Sequence, residues 1–246
     1  MKALITGASS GIGREFARIF ANKGYELVLV ARDEDKLREL QKELNVNTKI
    51  ISMDLSNVEN CKRLHTENPN IDLLINNAGF GDCGNFTHTS LDKEISMINT
   101  NITAYHILTK LYLIDMKKVN KGHILNVASI AGFMPGPLMA TYYATKSYIV
   151  RLSEGIREEL NKEKSNVKIS ILCPGPVKTN FNKVANVKFS LKEKNSYDVA
   201  KYAINHLNKF YIVPGIDIKL ARLGAKLLPS NFIAKITYMV QKKKLQ

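Results

Sequence analysis

Tyr142 and Lys146, in Tyr-Tyr-Ala-Thr-Lys, are four residues apart and share one face of any helix that carries them, while Tyr143 points elsewhere. An unperturbed phenol titrates at about 10 and is a poor base near neutrality. An adjacent ammonium stabilises the phenolate, so the pair makes a tunable proton donor and acceptor. Taken alone, a Tyr and a Lys also meet by chance on amphipathic helices. Upstream, a strand-like run ends in Asn126-Val127-Ala128-Ser129, and Tyr142 follows Ser129 by thirteen residues.

A second cluster suits phosphate. Thr6-Gly7-Ala8-Ser9-Ser10-Gly11-Ile12-Gly13 joins a short apolar run to a helical pattern. In that order Gly7 lets the chain turn, Gly11 lets backbone approach a phosphate, and Gly13 lets helix and strand pack closely. The helix N-terminus, at Ile12, presents unpaired N–H groups to an anion. An ordinary strand-to-helix turn is the bland alternative. The next strand-like run ends at Ala31-Arg32. It offers no acid for a ribose 2′-hydroxyl and a permanently charged guanidinium for a 2′-phosphate, which points to NADP(H) rather than NAD(H). The Ser9 and Ser10 hydroxyls and Arg14 are further donors. Both arginines also suit a solvated surface. Asp54 closes the third run, with Leu55 and Ser56 after it, and either accepts from an adenine amino group or caps the next helix. In Asn76-Asn77-Ala78-Gly79 the small residues leave room for a cofactor, and an Asn at a strand end can stitch neighbouring loops.

The elements that position these residues follow from periodicity. Apolar, β-rich runs at 3–5, 27–31, 49–53, 71–75, 123–127, 167–172 and 211–213 alternate with helical patterns at 12–20, 34–44, 91–116 and 141–160. The alternation predicts right-handed βαβ units in a single α/β domain, a doubly wound parallel sheet with helices on both faces. Ligands of such sheets bind beyond the carboxyl ends of the strands, where the motifs fall.

With these residues in order, the chain resembles the short-chain dehydrogenase/reductase family over about its first 180 residues. The likeness rests on Thr6-Gly7-x-x-x-Gly11-x-Gly13, Asp54, Asn76-Asn77-Ala78-Gly79, Asn101, Ser129, Tyr142-x-x-x-Lys146 and Pro174-Gly175-Pro176-Val177-x-Thr179. The resemblance implies a Rossmann-type sheet of seven strands and a catalytic set of Asn101, Ser129, Tyr142 and Lys146. In it Ser129 orients the substrate oxygen and Tyr142 exchanges the proton. Lys146 bonds the nicotinamide ribose and lowers the pKa of Tyr142. Asn101 holds a water linking Lys146 to solvent, and Pro174, Gly175, Val177 and Thr179 clasp the nicotinamide end. It also implies a homodimer or homotetramer built through the 91–116 and 141–160 helices. Ala104, where many members have Gly, and Val-Ala-Ser before the turn are modest departures.

Charge and tail are less instructive. The 246 residues hold 36 basic and 22 acidic side chains, a net charge of +14, and residues 201–246 hold nine Lys/Arg against the one acid Asp217. No nucleic-acid motif accompanies this charge, and a solvated lysine-rich surface accounts for it. Cys61, Cys83 and Cys173 form neither a disulfide framework nor a zinc pattern, and no signal peptide or long apolar span is visible, so a cytoplasmic protein is expected. Residues 180–197, with Phe181, Val184, Val187, Phe189 and Leu191 among Lys183, Lys188 and Lys192, read as a substrate lid or as a surface helix with one buried face. The basic C-terminal segment, residues 219–246, has Phe232, Ile233, Ile236, Met239 and Val240 at helical spacing before Lys242-Lys243-Lys244. It reads as packing on the core or a sister subunit, or as an amphipathic helix in peripheral membrane contact. The leading expectation is hydride transfer between NADP(H) and a hydrophobic carbonyl or secondary alcohol, with Tyr142 as acid and base. The competing ones are a non-catalytic NADP(H) sensor or scaffold, and a basic protein binding RNA or lipid.

Overall fold

The computed structural model describes residues 1–185 and 193–243. Its elements are β1 (Lys2–Thr6), α1 (Gly11–Asn22), β2 (Glu26–Ala31), α2 (Glu34–Glu43), β3 (Thr48–Ser52), α3 (Val58–Glu67), β4 (Leu73–Asn76), α4 (Leu91–Ile98), α5 (Ala104–Lys118), β5 (His123–Val127), α6 (Ala140–Lys162), β6 (Lys168–Leu172), β7 (Val177–Lys178), α7 (Phe181–Val184), β8 (Lys194–Asn195), α8 (Ser196–Asn205), β9 (Tyr211–Ile212), α9 (Ile216–Leu227) and α10 (Ser230–Lys242). Seven of the strands form one sheet in the order β3-β2-β1-β4-β5-β6-β9, every neighbouring pair parallel.

The central strands are apolar on both faces because both faces are covered. Leu4, Val28, Val30, Leu74, Ile124 and Ile171 pack beneath α3, α5 and α6 with Leu64, Tyr105, Tyr112 and Ile149. The alternate residues Ile5, Leu29, Leu73, Ile75 and Leu125 pack beneath α1, α2 and α8 with Phe16, Phe20, Leu37 and Val199. The winding reverses between β1 and β4, and a crevice opens there at the carboxyl ends of the strands.

Three local expectations are corrected. The 91–116 pattern is not one helix: a π-helical turn at Asn99–Thr103 separates α4 from α5. The wider turn leaves Asn101 wholly buried. Asp54 lies two residues beyond β3 and does not cap α3. Asn57, directly before Val58, does so, its Oδ1 accepting from the Glu59 and Asn60 N–H groups at 2.8 and 3.3 Å. A cap must sit next to the first turn to reach its free N–H groups, and Asp54 is too far upstream. On α10 the buried face is Ile233, Thr237 and Gln241, whereas Phe232, Ile236 and Met239 are exposed. Thr237 and Gln241 are buried because they have partners: Thr237 Oγ1 donates to the Pro135 carbonyl at 2.9 Å, and Gln241 Nε2 donates to the Tyr143 hydroxyl.

Beyond the sheet, β7 and β8 pair in parallel, Val177 with Lys194 and Lys178 with Asn195, and so tie together the two ends of the 180–197 segment. Val187, Lys188, Phe189, Leu191 and Lys192 lie outside the described residues, as do Lys244 and the Lys183 side chain.

Candidate active site

One cleft of about 330 Å³ runs along the crevice, and eighteen of the twenty expected site residues line it directly. Gly13 and Asn101 stand just behind its wall. At its closed end β1 turns into α1. Gly11 has φ +56°, a conformation most side chains avoid, and a Cβ there would stand 2.8 Å from Thr179 Cγ2. Gly13 has no room at all, since a Cβ would lie 2.4 Å from the Gly7 carbonyl oxygen. Ser10 is the residue before α1, yet its hydroxyl makes no cap bond, so it and the first N–H groups of the helix have no partner among the described residues and border the cleft. That cradle fits a pyrophosphate.

The turn is held by β4. Thr6 Oγ1 accepts from the Asn77 and Ala78 N–H groups at 2.9 and 3.0 Å, and Asn77 Nδ2 donates to the Thr6 and Gly7 carbonyls at 3.0 and 3.2 Å. Asn77 is therefore the loop stitch. Asn76 is buried in a separate line, donating to Thr109 Oγ1 at 3.1 Å and to Asn126 Oδ1 at 2.9 Å, while Asn126 donates to Ser153 at 3.0 Å.

Of the eight arginines, Arg32 alone has no carboxylate or ring partner among the described residues, and it lines the cleft exposed. Arg14 is different. Its guanidinium pairs with Glu43 at 2.5 Å, which removes it from the set of free donors. Asp54 Oδ1 accepts from the Ser56 N–H at 2.9 Å and the residue lines the cleft with Leu55.

At the open end stand Ser129, Tyr142 and Lys146. Ser129 Oγ accepts from the Ala131 N–H at 3.2 Å, reaches the Pro174 carbonyl at 3.5 Å, and lies beside the Tyr142 phenol. Lys146 is buried, its Nζ 5.9 Å from the Tyr142 ring centre and donating to the Val127 carbonyl at 3.0 Å. The expected electrostatics are reversed in one respect. Burial pushes the Tyr142 phenol well above its ordinary value, and the neighbouring Ser129 hydroxyl opposes this only in part. Burial also draws the Lys146 ammonium down to about 8. A buried ammonium that readily loses its charge, and that is turned toward a backbone carbonyl, is a weak acidifier of its neighbour.

Asn101 Nδ2 donates to the Phe80 carbonyl at 2.9 Å and to Thr145 Oγ1 at 3.1 Å, while its Oδ1 accepts from the Phe80 N–H at 3.1 Å. It thus ties the loop after β4 to α6, since Thr145 Oγ1 in turn donates to the Tyr142 carbonyl at 2.7 Å. On the other wall the Pro174 carbonyl accepts from the Ile130 N–H at 3.0 Å, and Thr179 lies across Gly11.

The outer end is aromatic. Phe181 packs on Tyr142 with ring centres 5.2 Å apart, and Val184 and Met139 line the same space. Tyr143 does not point away from the cleft but lines it too, anchored by Gln241 and with its phenol pushed up to about 12 by burial. Sequence reasoning missed Thr6 and Thr145 as organisers, although both stand inside the quoted motifs. It also missed Gln241, whose signal was an amide four residues after Thr237 on a helix face that also holds Ile233.

The model of the family described as "short chain dehydrogenase" matches residues 1–188. An uncharacterized oxidoreductase from Staphylococcus epidermidis is 33% identical over 215 residues, covering 84% of this chain and 93% of the relative. A short-chain dehydrogenase/reductase from Burkholderia phymatum, solved in complex with NAD, superposes with a TM-score of 0.82 at 27% identity, over 90% of this chain and 91% of that one. A short-chain dehydrogenase from Sphingobium yanoikuyae, solved with NADPH, gives 0.81 at 28%, over 92% and 94%. The chain belongs to the short-chain dehydrogenase/reductase family, oxidoreductases that transfer hydride with a nicotinamide dinucleotide.

Proposed function

We propose that the chain is an NADP(H)-dependent reductase of hydrophobic carbonyl compounds, with Tyr142 as the proton donor. The observation that carries this reading is the convergence of Ser129, Tyr142 and Lys146 at one end of a cleft whose other end is a phosphate cradle flanked by the unpaired Arg32. A sensor or scaffold has no need of that set.

In this reading the Gly11–Gly13 cradle and Ser10 hold the pyrophosphate, with Gly7, Ser9 and Ile12 shaping the turn. Arg32 takes the 2′-phosphate, Asp54 and Leu55 border the adenine, and Asn77, Ala78 and Gly79 leave room for the ribose. Pro174, Gly175, Val177 and Thr179 close over the nicotinamide end. When bound, the nicotinamide supplies or accepts the hydride. Ser129 donates to the substrate oxygen and fixes its position. Tyr142 then gives its proton to the oxygen as negative charge develops there. An alkoxide is a far stronger base than a phenolate, so a phenol held above its usual range still donates readily. In the reverse direction the phenolate must form first, and burial opposes it. The raised pKa therefore makes proton donation the ready role of Tyr142 near neutrality, and the rate of oxidation rises with pH as the phenolate forms. Lys146 orients the ribose, and Asn101 fixes α6 against the loop carrying Phe80 and supports the proton path behind Lys146.

Phe181, Met139, Tyr143 and Val184 give the substrate end an apolar wall, which selects a hydrophobic ketone or aldehyde. The buried cysteines Cys61, Cys83 and Cys173, which form no disulfide among the described residues, suit a reducing cytosol. A homo-oligomer through α5 and α6 would cover Ile114 and Tyr148, which are exposed in one chain. The deciding experiment is Tyr142→Phe. The expected result is a loss of about 10²–10⁴-fold in kcat for NADPH-dependent reduction, with NADPH affinity held within about twofold. Retained turnover would refute the assignment.

A further inference from the structure

The last two helices share a pattern that the cleft does not use. On α9 Ile216, Leu220, Leu223 and Leu227 fall at i, i+4, i+7 and i+11, with Lys219 and Lys226 one position to the side. On α10 Phe232, Ile236 and Met239 repeat the spacing, with Lys235 and Lys242 in the same places. Moving sixteen residues along the chain takes each of Ile216, Lys219, Leu220, Leu223 and Lys226 onto Phe232, Lys235, Ile236, Met239 and Lys242. At 100° per residue each apolar row is a narrow stripe, and its two lysines flank the same edge.

Among the described residues neither stripe is covered. The apolar residues of α9 are between 52 and 75% exposed and those of α10 between 39 and 57%, and Leu228 between the helices is 45% exposed. Scattered exposed Leu or Ile need no explanation, but a duplicated row does. The helices meet the protein through other faces. Ile218 packs against Gly175, Arg222 lies over the Tyr211 and Phe133 rings, and Thr237 and Gln241 hold Pro135 and Tyr143. All four flanking lysines are exposed and make no ion pair among the described residues. The one acid of the hairpin, Asp217, lies 3.6 Å from Lys194.

From this we infer that α9 and α10 form a docking surface for an anionic lipid bilayer. Long apolar side chains entering the headgroup boundary, edged by lysines whose stems lie along it, are the arrangement an interfacial helix requires. The charge argues against a second copy on the same face, since a two-fold contact would set these lysines against each other. Because Gly175 and Tyr143 line the cleft, the surface is joined to the substrate end through Ile218 and Gln241. This deepens the proposed reductase reading: its hydrophobic carbonyl substrate would be drawn from the bilayer. The docking itself needs no turnover to be measured.

The test is flotation of the full chain with vesicles of phosphatidylcholine alone and with 30 mol% phosphatidylserine added (about a third anionic, enough for a negative surface potential). Wild type is expected to bind the anionic vesicles at least about tenfold more strongly and to release them at high salt. Gln in place of Lys219, Lys226, Lys235 and Lys242 should weaken binding by about fivefold per lysine. Leu220→Ser with Leu223→Ser, and separately Ile236→Ser with Met239→Ser, should each weaken it at every salt concentration, while NADPH titration shows that the variants are folded. Equal binding to both vesicle types, or none, would overturn the inference. So would sedimentation showing that the serine variants convert a dimer to a monomer, which would make the face a subunit contact. Loss of reductase activity with vesicle binding intact would sink only the reductase reading.

Discussion

The two ends of the cleft are built by different means. The phosphate end is fixed by backbone and by short polar side chains bonded to backbone. Thr6 holds Asn77 and Ala78, Asn77 holds the Thr6 and Gly7 carbonyls, and Gly13 lets α1 lie against β1. The substrate end is fixed by side-chain contacts, with Phe181 on Tyr142 and α10 attached to Tyr143 through Gln241. Backbone geometry admits few residue types at each position, whereas an apolar wall admits many combinations of similar volume. The phosphate end is thus intolerant of a single methyl group, and the outer helices should accept one.

Gly13→Ala is the sharpest way to break that contrast. Its Cβ would meet the Gly7 carbonyl at 2.4 Å and Asn77 Nδ2 at 2.5 Å, so the stitched turn must shift. Overpacking of this kind costs about 1–3 kcal/mol of stability. NADPH affinity should fall by about a hundredfold, because the displaced groups form the cradle. Calorimetric titration and thermal unfolding would measure both, and wild-type affinity would mean that the cradle is not where phosphate binds.

Lys146→Met tests the seam between the two ends. Burial lowers the Lys146 pKa to about 8 from its ordinary 10.5, so the folded chain disfavours the ammonium. Below pH 8 the lysine is charged in both folded and unfolded chains, and the folded state carries the full penalty. Between pH 8 and 10.5 the folded chain releases the proton first, so wild-type stability rises with pH across that window. Met removes the penalty with little change of shape, and the Val127 carbonyl keeps its bond from the Tyr105 hydroxyl at 3.1 Å. The variant should therefore be inactive yet more stable at pH 7 by up to about 3 kcal/mol, an advantage that fades toward pH 10.5. A destabilised variant at neutral pH would show that the ammonium is not penalised.

What could be read from the sequence follows the same division. Strands buried on both faces announce themselves as continuous apolar runs, and the Gly7-Gly11-Gly13 and Tyr142–Lys146 spacings, ambiguous one by one, become specific in their order along the chain. The π turn at Asn99–Thr103 was invisible because the helical pattern continues through it, and with it went the reason Asn101 is buried. Asp54 and Asn57 are both good capping residues, so only their distance from Val58 decides between them. At α10 the apolar spacing did not show which face is buried, since Thr237 and Gln241 are buried by partners 102 and 98 residues away in sequence. No local pattern encodes such a contact. The opposing effect of burial on Tyr142 was not legible for a related reason: spacing places Lys146 nearby, but the depth of burial is a property of the whole fold.

Arg32→Asp perturbs the phosphate end by charge rather than by volume. A charged hydrogen bond is worth about 1.5–3 kcal/mol, so NADPH affinity should fall by roughly 10- to 150-fold. NADH affinity should hold or improve, because the new carboxylate suits a ribose 2′-hydroxyl. Fluorescence titration with both dinucleotides measures the ratio. Unchanged NADPH affinity would leave Arg32 a surface residue and remove the argument for NADP(H).

Gly224→Ala makes the same chemical change as Gly13→Ala in the outer region. Gly224 lies inside α9, and the nearest atom to a Cβ there would be Leu228 Cδ1 at an unstrained 4.0 Å. Glycine within a helix costs roughly 0.5–1 kcal/mol relative to alanine, and nothing here offsets that. The variant should gain that much stability, seen as a rise of about 1–4 °C in melting temperature for a chain of this size. NADPH affinity and kcat on a water-soluble ketone should stay within about twofold of wild type, because α9 touches the cleft through Ile218 and not through this position. One added methyl then destabilises at Gly13 and stabilises at Gly224. If Gly224→Ala weakened NADPH binding as Gly13→Ala does, the two ends of the cleft would be one mechanical unit and their separation would fail.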